Sequence, residues 1–236
     1  MTGHFSQRRA IVKPLLRLTT TSVLACAALC LALSDASAKN DDALNPDRLK
    51  AIALMLPDAP AGVGRPMADR AGWDALAAAA AWRGVVKRAE GLLAQPVPEQ
   101  PDDLYLDFSR TGNRTHWQNV AFERRSRLVI LTLAECVENK GRFLPKTEEL
   151  IAAFCAEKCW VMPAHDRRLT NFNGKFIDVD LASSALAWNL ATADWLLGDK
   201  LGAATRKRIR ESVERFVLAP CRAAYRGGLR VTAEAR

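Results

Sequence analysis

The run from Leu181 to Leu197, LASSALAWNLATADWLL, carries a single charge and is apolar on nearly every face of a helix. A helix of that kind has to be covered on both sides, so the sequence asks for layers of helices rather than one amphipathic helix on a sheet. Trp188 and Trp195 stand seven residues apart and fall near one face. After it, Gly198 closes the helix, and Ala204 to Leu218 reads as a charged outer helix ending before Pro220. Before it, Thr115 and Gln118 are spaced as a capping box. They open a long helix that carries Trp117, Val120, Phe122, Leu128, Val129, Leu131, Leu133 and Cys136 and stops near Gly141. Pro145 opens its partner, which runs to about Lys158. The order inner, outer, inner, outer predicts stacked helical hairpins, an all-α fold.

The remaining stretches fit the same scheme less regularly. Asn45-Pro46 is a cap followed by proline at the first helical position, opening a segment to Leu56. Pro57 to Pro66 is a linker, and Arg70 to Leu93 an alanine-rich helix with Trp73, Leu76, Trp82, Val85 and Val86 as its bulky residues. Gln95 to Asn113 breaks the rhythm, and the alternation in Asp102 to Phe108 predicts a short extended segment.

The first 38 residues read as an export signal: a leader with Arg8, Arg9, Lys13 and Arg17, an apolar run from Leu18 to Leu33, and small residues at Ala36-Ser37-Ala38. Cleavage after Ala38 predicts a periplasmic or secreted protein. The apolar run is shorter than the ~20 residues of a bilayer span, so no stable membrane span is expected after cleavage. Val23-Leu24-Ala25-Cys26 offers a weaker lipoprotein alternative. The chain is +8 overall, but Lys39 to Ala203 holds 21 basic against 22 acidic residues. The excess lies in the leader and in the tail, and the body gives no support to nucleic-acid binding. Of six cysteines, Cys136, Cys155, Cys159 and Cys221 survive the leader, without a CxxC. With only His116 and His165 beside them, no metal site and no cofactor are expected. Export leaves a disulfide possible in principle, but core thiols are the simpler reading.

Between the two helical pairs lies Trp160 to Asp180, WVMPAHDRRLTNFNGKFIDVD. Helix-to-helix connections usually take about two to eight residues, and a longer one rich in polar and aromatic groups marks function more often than not.

This run, with SALAWNLATADWLLGDKL after it and ENKGRFLPKTEELIAAFCAEKCW before it, resembles the amino-terminal part of heparinase II/III-like proteins over about Tyr105 to Phe216. The resemblance implies a bacterial polysaccharide lyase with an α/α toroid followed by a β-sandwich. It divides the chain into a signal peptide (1–38), a partial toroid (39–220) and an irregular basic tail (221–236). Against that family the chain reads as an incomplete toroid, cut short or frame-shifted at its end, with the β-sandwich absent. The implied substrate is an acidic, uronate-containing polysaccharide, and the implied reaction is β-elimination, a carbon–oxygen lyase activity in the completed protein.

A lyase needs groups that neutralise a carboxylate, exchange a proton and stack on a sugar ring. The loop offers Asn171 and Asn173 for the carboxylate, His165 for the proton, and Trp160 for the ring. Arg167 and Arg168 suit an anionic glycan, and Asp166 stands beside His165. The resemblance puts the family's principal catalytic histidine and tyrosine further along the toroid than this chain reaches, so it implies a substrate-cleft role for Trp160, His165, Asp166, Arg167, Asn171 and Asn173, with His165 the one candidate for catalysis. Two alternatives stay open: a non-enzymatic helical glycan-binding or scaffold protein, and a glycoside hydrolase on a similar toroid using two of Asp166, Asp178 and Asp180.

Overall fold

A computed structural model describes residues 45–58 and 63–226. The expected signal peptide, its cleavage point and the end of the basic tail lie outside the described residues. The chain divides into two units, Met1–Ala61 and Gly62–Arg236. In the first, helix α1 (Pro46–Met55) starts as expected: the Asn45 side chain accepts from the Asp47 and Arg48 N–H groups, and proline takes the first position. None of its residues is buried, so its stability is local.

The second unit contains α2 (Arg70–Ala77), α3 (Ala80–Leu93), α4 (Asp102–Thr111), α5 (Thr115–Glu138), α6 (Leu144–Cys155), α7 (Leu181–Leu197), α8 (Ala203–Val213) and α9 (Ala219–Tyr225). Helix α5 is the hub, packing against α2, α3, α4, α6 and α7, while α8 packs on both α6 and α7. The core between them is built from Leu128, Leu131, Phe143, Leu150, Ile151, Phe154, Leu186, Leu190 and Leu197. Among the described residues there are no strands, the all-α expectation holds, and no helix is long and apolar enough to cross a membrane.

Several local expectations are corrected. The alanine-rich helix is broken at Ala79, whose extended backbone turns Trp82 edge-on to Trp73 at 6.0 Å. Asp102 to Phe108 is helical, not extended. Pro101 presets the chain, Asp102 and Asp103 face the positive helix end, and Gly112 terminates it at φ 75°, a conformation that a side chain would strain. Helix α5 is capped by Asn113, whose side-chain oxygen accepts from the Thr115 and His116 N–H groups, and not by a Thr115–Gln118 box. Pro220 does not end the outer helix, because a π turn at Glu214–Leu218 precedes it and carries the chain on into α9. The extra residue in that turn buries both Phe216 and Val217.

Helix α7 is covered on one face only. Ala182, Leu186, Leu190, Ala193 and Leu197 are buried, while Leu181 is 81% and Trp188 58% exposed. Leu190→Ala should therefore cost about 2–5 kcal/mol in urea unfolding, the usual range for a buried leucine. Trp188→Ala should change stability by about 1 kcal/mol or less. Equal losses would contradict this burial pattern.

Candidate functional site

Asp166 is the centre of the loop between α6 and α7. It is 2% exposed and its two oxygens accept from the Asn171 and Phe172 N–H groups at 3.1 and 2.8 Å. Thr170 Oγ1 and the Asn171 side-chain amide add weaker contacts to the same carboxylate. Asn171 in turn donates to Asp178 Oδ2 at 3.0 Å and accepts from the Asp178 N–H at 2.7 Å, which ties the far end of the loop to its start. Leu169 sits inside this knot at φ 53°, a left-handed conformation that a bulky residue holds only when its surroundings over-determine it. The knot reaches outward through Tyr105 of α4, whose hydroxyl donates to Asp166 at 3.2 Å and whose ring stacks on Phe172 at 5.0 Å. Burial, followed by the nearby Cys159 and Asp166, pushes the Tyr105 hydroxyl pKa far up, so it stays a donor.

A second carboxylate organises the loop's exit. Asp180 caps α7 in a reciprocal box with Ser183 and also accepts from the Met162 N–H at 2.9 Å. Burial alone would raise its pKa. Hydrogen bonds from the Ser183 and Met162 N–H groups, His165 and the Ser183 hydroxyl outweigh that and hold it below the ordinary carboxylate range. An ionised carboxylate only accepts, so the His165 Nδ1 at 2.8 Å carries a proton and donates to it. The neutral imidazole then has its lone pair on Nε2, on a side chain that is 40% exposed.

Beside the loop lies a cleft of about 470 Å³ lined by Tyr105, Trp117, Arg124, Glu157, Lys158 and Phe172, with the Lys158 ammonium over the Phe172 ring at 4.8 Å. Arg124 and Arg125 are both buried on the inner face of α5. Arg124 Nη1 lies 2.9 Å from Glu157 Oε1, and its guanidinium covers the Phe154 ring. Burial lowers the Arg125 pKa, while Glu157 and then Asp180 pull it back up. Arg124, Glu157, Arg125 and Asp180 thus alternate in charge. Burial raises the Glu157 carboxyl to about 7 against the pull of Arg124 and Arg125. Arg124 Nε and Arg125 Nε are buried without hydrogen-bond partners. Each such group costs roughly 1–3 kcal/mol, a cost typical of sites kept for a purpose other than stability.

The expected site residues separate into two groups. Trp160 is 1% exposed, with its indole N–H donating to the Phe154 carbonyl and its ring against Phe216, so it has no face for a sugar. Asp166 and Asn171 are likewise interior and hold the loop's shape. His165, Arg167, Arg168 and Asn173 are on the surface. The cleft residues were missed, although Arg124 and Arg125 fall between Ala121 and Leu128 on the core face, where arginines need a partner. Cys136, Cys155, Cys159 and Cys221 are free thiols, and among the described residues no cluster is suited to a metal ion. No protein-family model matches the chain, and no curated protein matches it at a significant level.

Two outcomes test this geometry. Asp166→Ala leaves the Asn171 and Phe172 N–H groups and the Tyr105 hydroxyl without an acceptor. It should cost about 3 kcal/mol or more and speed amide exchange at Phe172, read by hydrogen exchange. Glu157 holds a proton in the folded state that the unfolded chain releases between pH 4.5 and about 7. Its contribution is therefore full below 4.5 and lost as pH rises through about 7. Glu157→Gln should flatten that decline in urea titrations, and a wild-type stability that rises across the window would contradict it.

Proposed function

We propose that this chain is the helical part of an exported polysaccharide lyase of the heparinase II/III-like kind, acting on a uronate-containing glycan. The fold that reading requires is an incomplete α/α toroid, and the hairpins α5–α6 and α7–α8 are the pieces such a ring is stacked from. The observation that carries the reading is the exposed His165, fixed by Asp180 through Nδ1 on a loop that also presents Arg167, Arg168 and Asn173.

In this account Arg167 pairs with the uronate carboxylate, as a guanidinium suits a planar anion. Neutralising that carboxylate acidifies the hydrogen on the adjacent carbon. His165 Nε2 removes it as a proton, the electron pair forms a carbon–carbon double bond, and the glycosidic carbon–oxygen bond breaks. The departing oxygen takes up a proton from solvent. Asp180 stabilises the imidazolium and fixes the ring. Hydrolysis is a poorer fit, because Asp166, one of the carboxylates it would use, is interior and committed to five donors around it.

The test is polyuronate turnover, followed as the ultraviolet absorbance of the unsaturated product, together with polyuronate binding. His165→Ala should lower turnover or affinity at least tenfold while keeping the melting temperature. Asp180→Asn should weaken turnover as well, since an amide can force the wrong ring tautomer. Binding without an absorbance change would select the non-enzymatic glycan-binding alternative. Unchanged binding and turnover in His165→Ala would remove the loop from the site.

A further inference from the structure

Of the six tryptophans, five are spent on the fold. Trp73, Trp160 and Trp195 each donate the indole N–H to a backbone carbonyl, while Trp82 and Trp117 stand edge-on to Trp73 and Tyr105. Trp188 has no such bond or ring contact among the described residues, and it is 58% exposed on α7. Its indole keeps a broad apolar face and an N–H donor available to a ligand. Trp160, the ring expected to stack a sugar, is interior, so that role has no other occupant on the loop.

The surroundings of Trp188 narrow what fits it. On a helix, the residues three and four positions away are a side chain's neighbours. Around Trp188 these are Ser184, Ala185, Ala191 and Thr192, all small, so none on its own helix is tall enough to cover the indole. A face that docks a partner helix carries large apolar anchors at that spacing. Here the next large side chains on this face are seven residues off, at Leu181 and Trp195. An open indole flanked by two hydroxyls instead suits a sugar, whose C–H face packs on the ring while its hydroxyls bond at the edge.

Position ties this ledge to the loop. Asp180 caps α7 and at the same time holds His165 Nδ1. Trp188 lies eight residues beyond Asp180, roughly 12 Å along the axis at about 1.5 Å per residue. Leu181, Ser184 and Ala185 between them are exposed on the same face, which leaves room for an extended chain along α7. We propose that Trp188 stacks a sugar ring of the uronate-containing chain, remote from the ring at His165. This rests on the glycan reading and deepens it: contact at a remote ring helps to hold the reacting one, so the ledge selects long chains over short ones. None of the four neighbours of Trp188 is charged, so its contribution is apolar and survives added salt.

The full chain is titrated with an unsulfated polyuronate octasaccharide at low and high salt, followed by calorimetry and by tryptophan emission. Covering the exposed indole should shift the emission to the blue. Trp188→Ala should lose that shift and weaken binding at least tenfold at both salt concentrations, with the melting temperature in place. Trp188→Phe keeps a ring that can stack and should stay within threefold of the wild type. Wild-type binding that Trp188→Ala leaves intact overturns the proposal while the glycan reading stands, and so does a Trp188→Phe variant as weak as Trp188→Ala. A wild type that binds no octasaccharide overturns both. Self-association of the wild type that Trp188→Ala abolishes also overturns the proposal, because the ledge is then an interface between copies.

Discussion

Two inward-turned carboxylates, Asp166 and Asp180, set the shape of everything around the candidate site. Asp166 gathers the Asn171 and Phe172 N–H groups of the 21-residue span Trp160–Asp180 onto one carboxylate, and Asp180 locks the end of that span onto the start of α7. Hydrogen bonds to an ionised carboxylate are about twice as strong as neutral ones, which is how a loop of this length keeps one conformation without regular structure. Their loss would release Leu169 from its left-handed backbone and Tyr105 from its only carboxylate partner.

The same two residues connect regions far apart in sequence. Through Tyr105, Asp166 fixes the aromatic wall of the cleft. Through Arg125, on which Glu157 and Asp180 both act, Asp180 shares an electrostatic environment with that cleft. The π turn serves the arrangement from the other side, placing Phe216 against Trp160 where the loop leaves the core.

Much of the fold was legible in the sequence, because apolar periodicity fixes helices whose inner faces are continuous. Helices α5, α6 and α7 follow directly from their Leu, Ile and Trp spacing. The failures have physical causes. Asp102 to Thr111 alternates like a strand for a few residues, but the following glycine cap and the acidic first turn decide for helix. Leu181 and Trp188 read as core from hydrophobicity alone, although hydrophobicity does not say whether a neighbouring layer covers them. Within the loop, composition identified the right span yet could not tell which polar side chains turn inward. Asp166 and Asn171 went inside because their short side chains match backbone N–H groups five to seven residues away. The cleft was invisible because its wall is assembled from separate segments spread between Val97 and Phe172.

The central claim, that the exposed face of this loop meets an acidic glycan, is tested most directly by nuclear magnetic resonance. A uniformly labelled chain is titrated with an unsulfated polyuronate oligosaccharide and the perturbed residues are mapped. The account predicts saturable shifts centred on His165, Arg167, Arg168 and Asn173, with the His165 ring signals among the largest. Shifts confined to the basic outer surface of α8, around Arg206, Lys207 and Arg210, would instead mark diffuse charge attraction and contradict it.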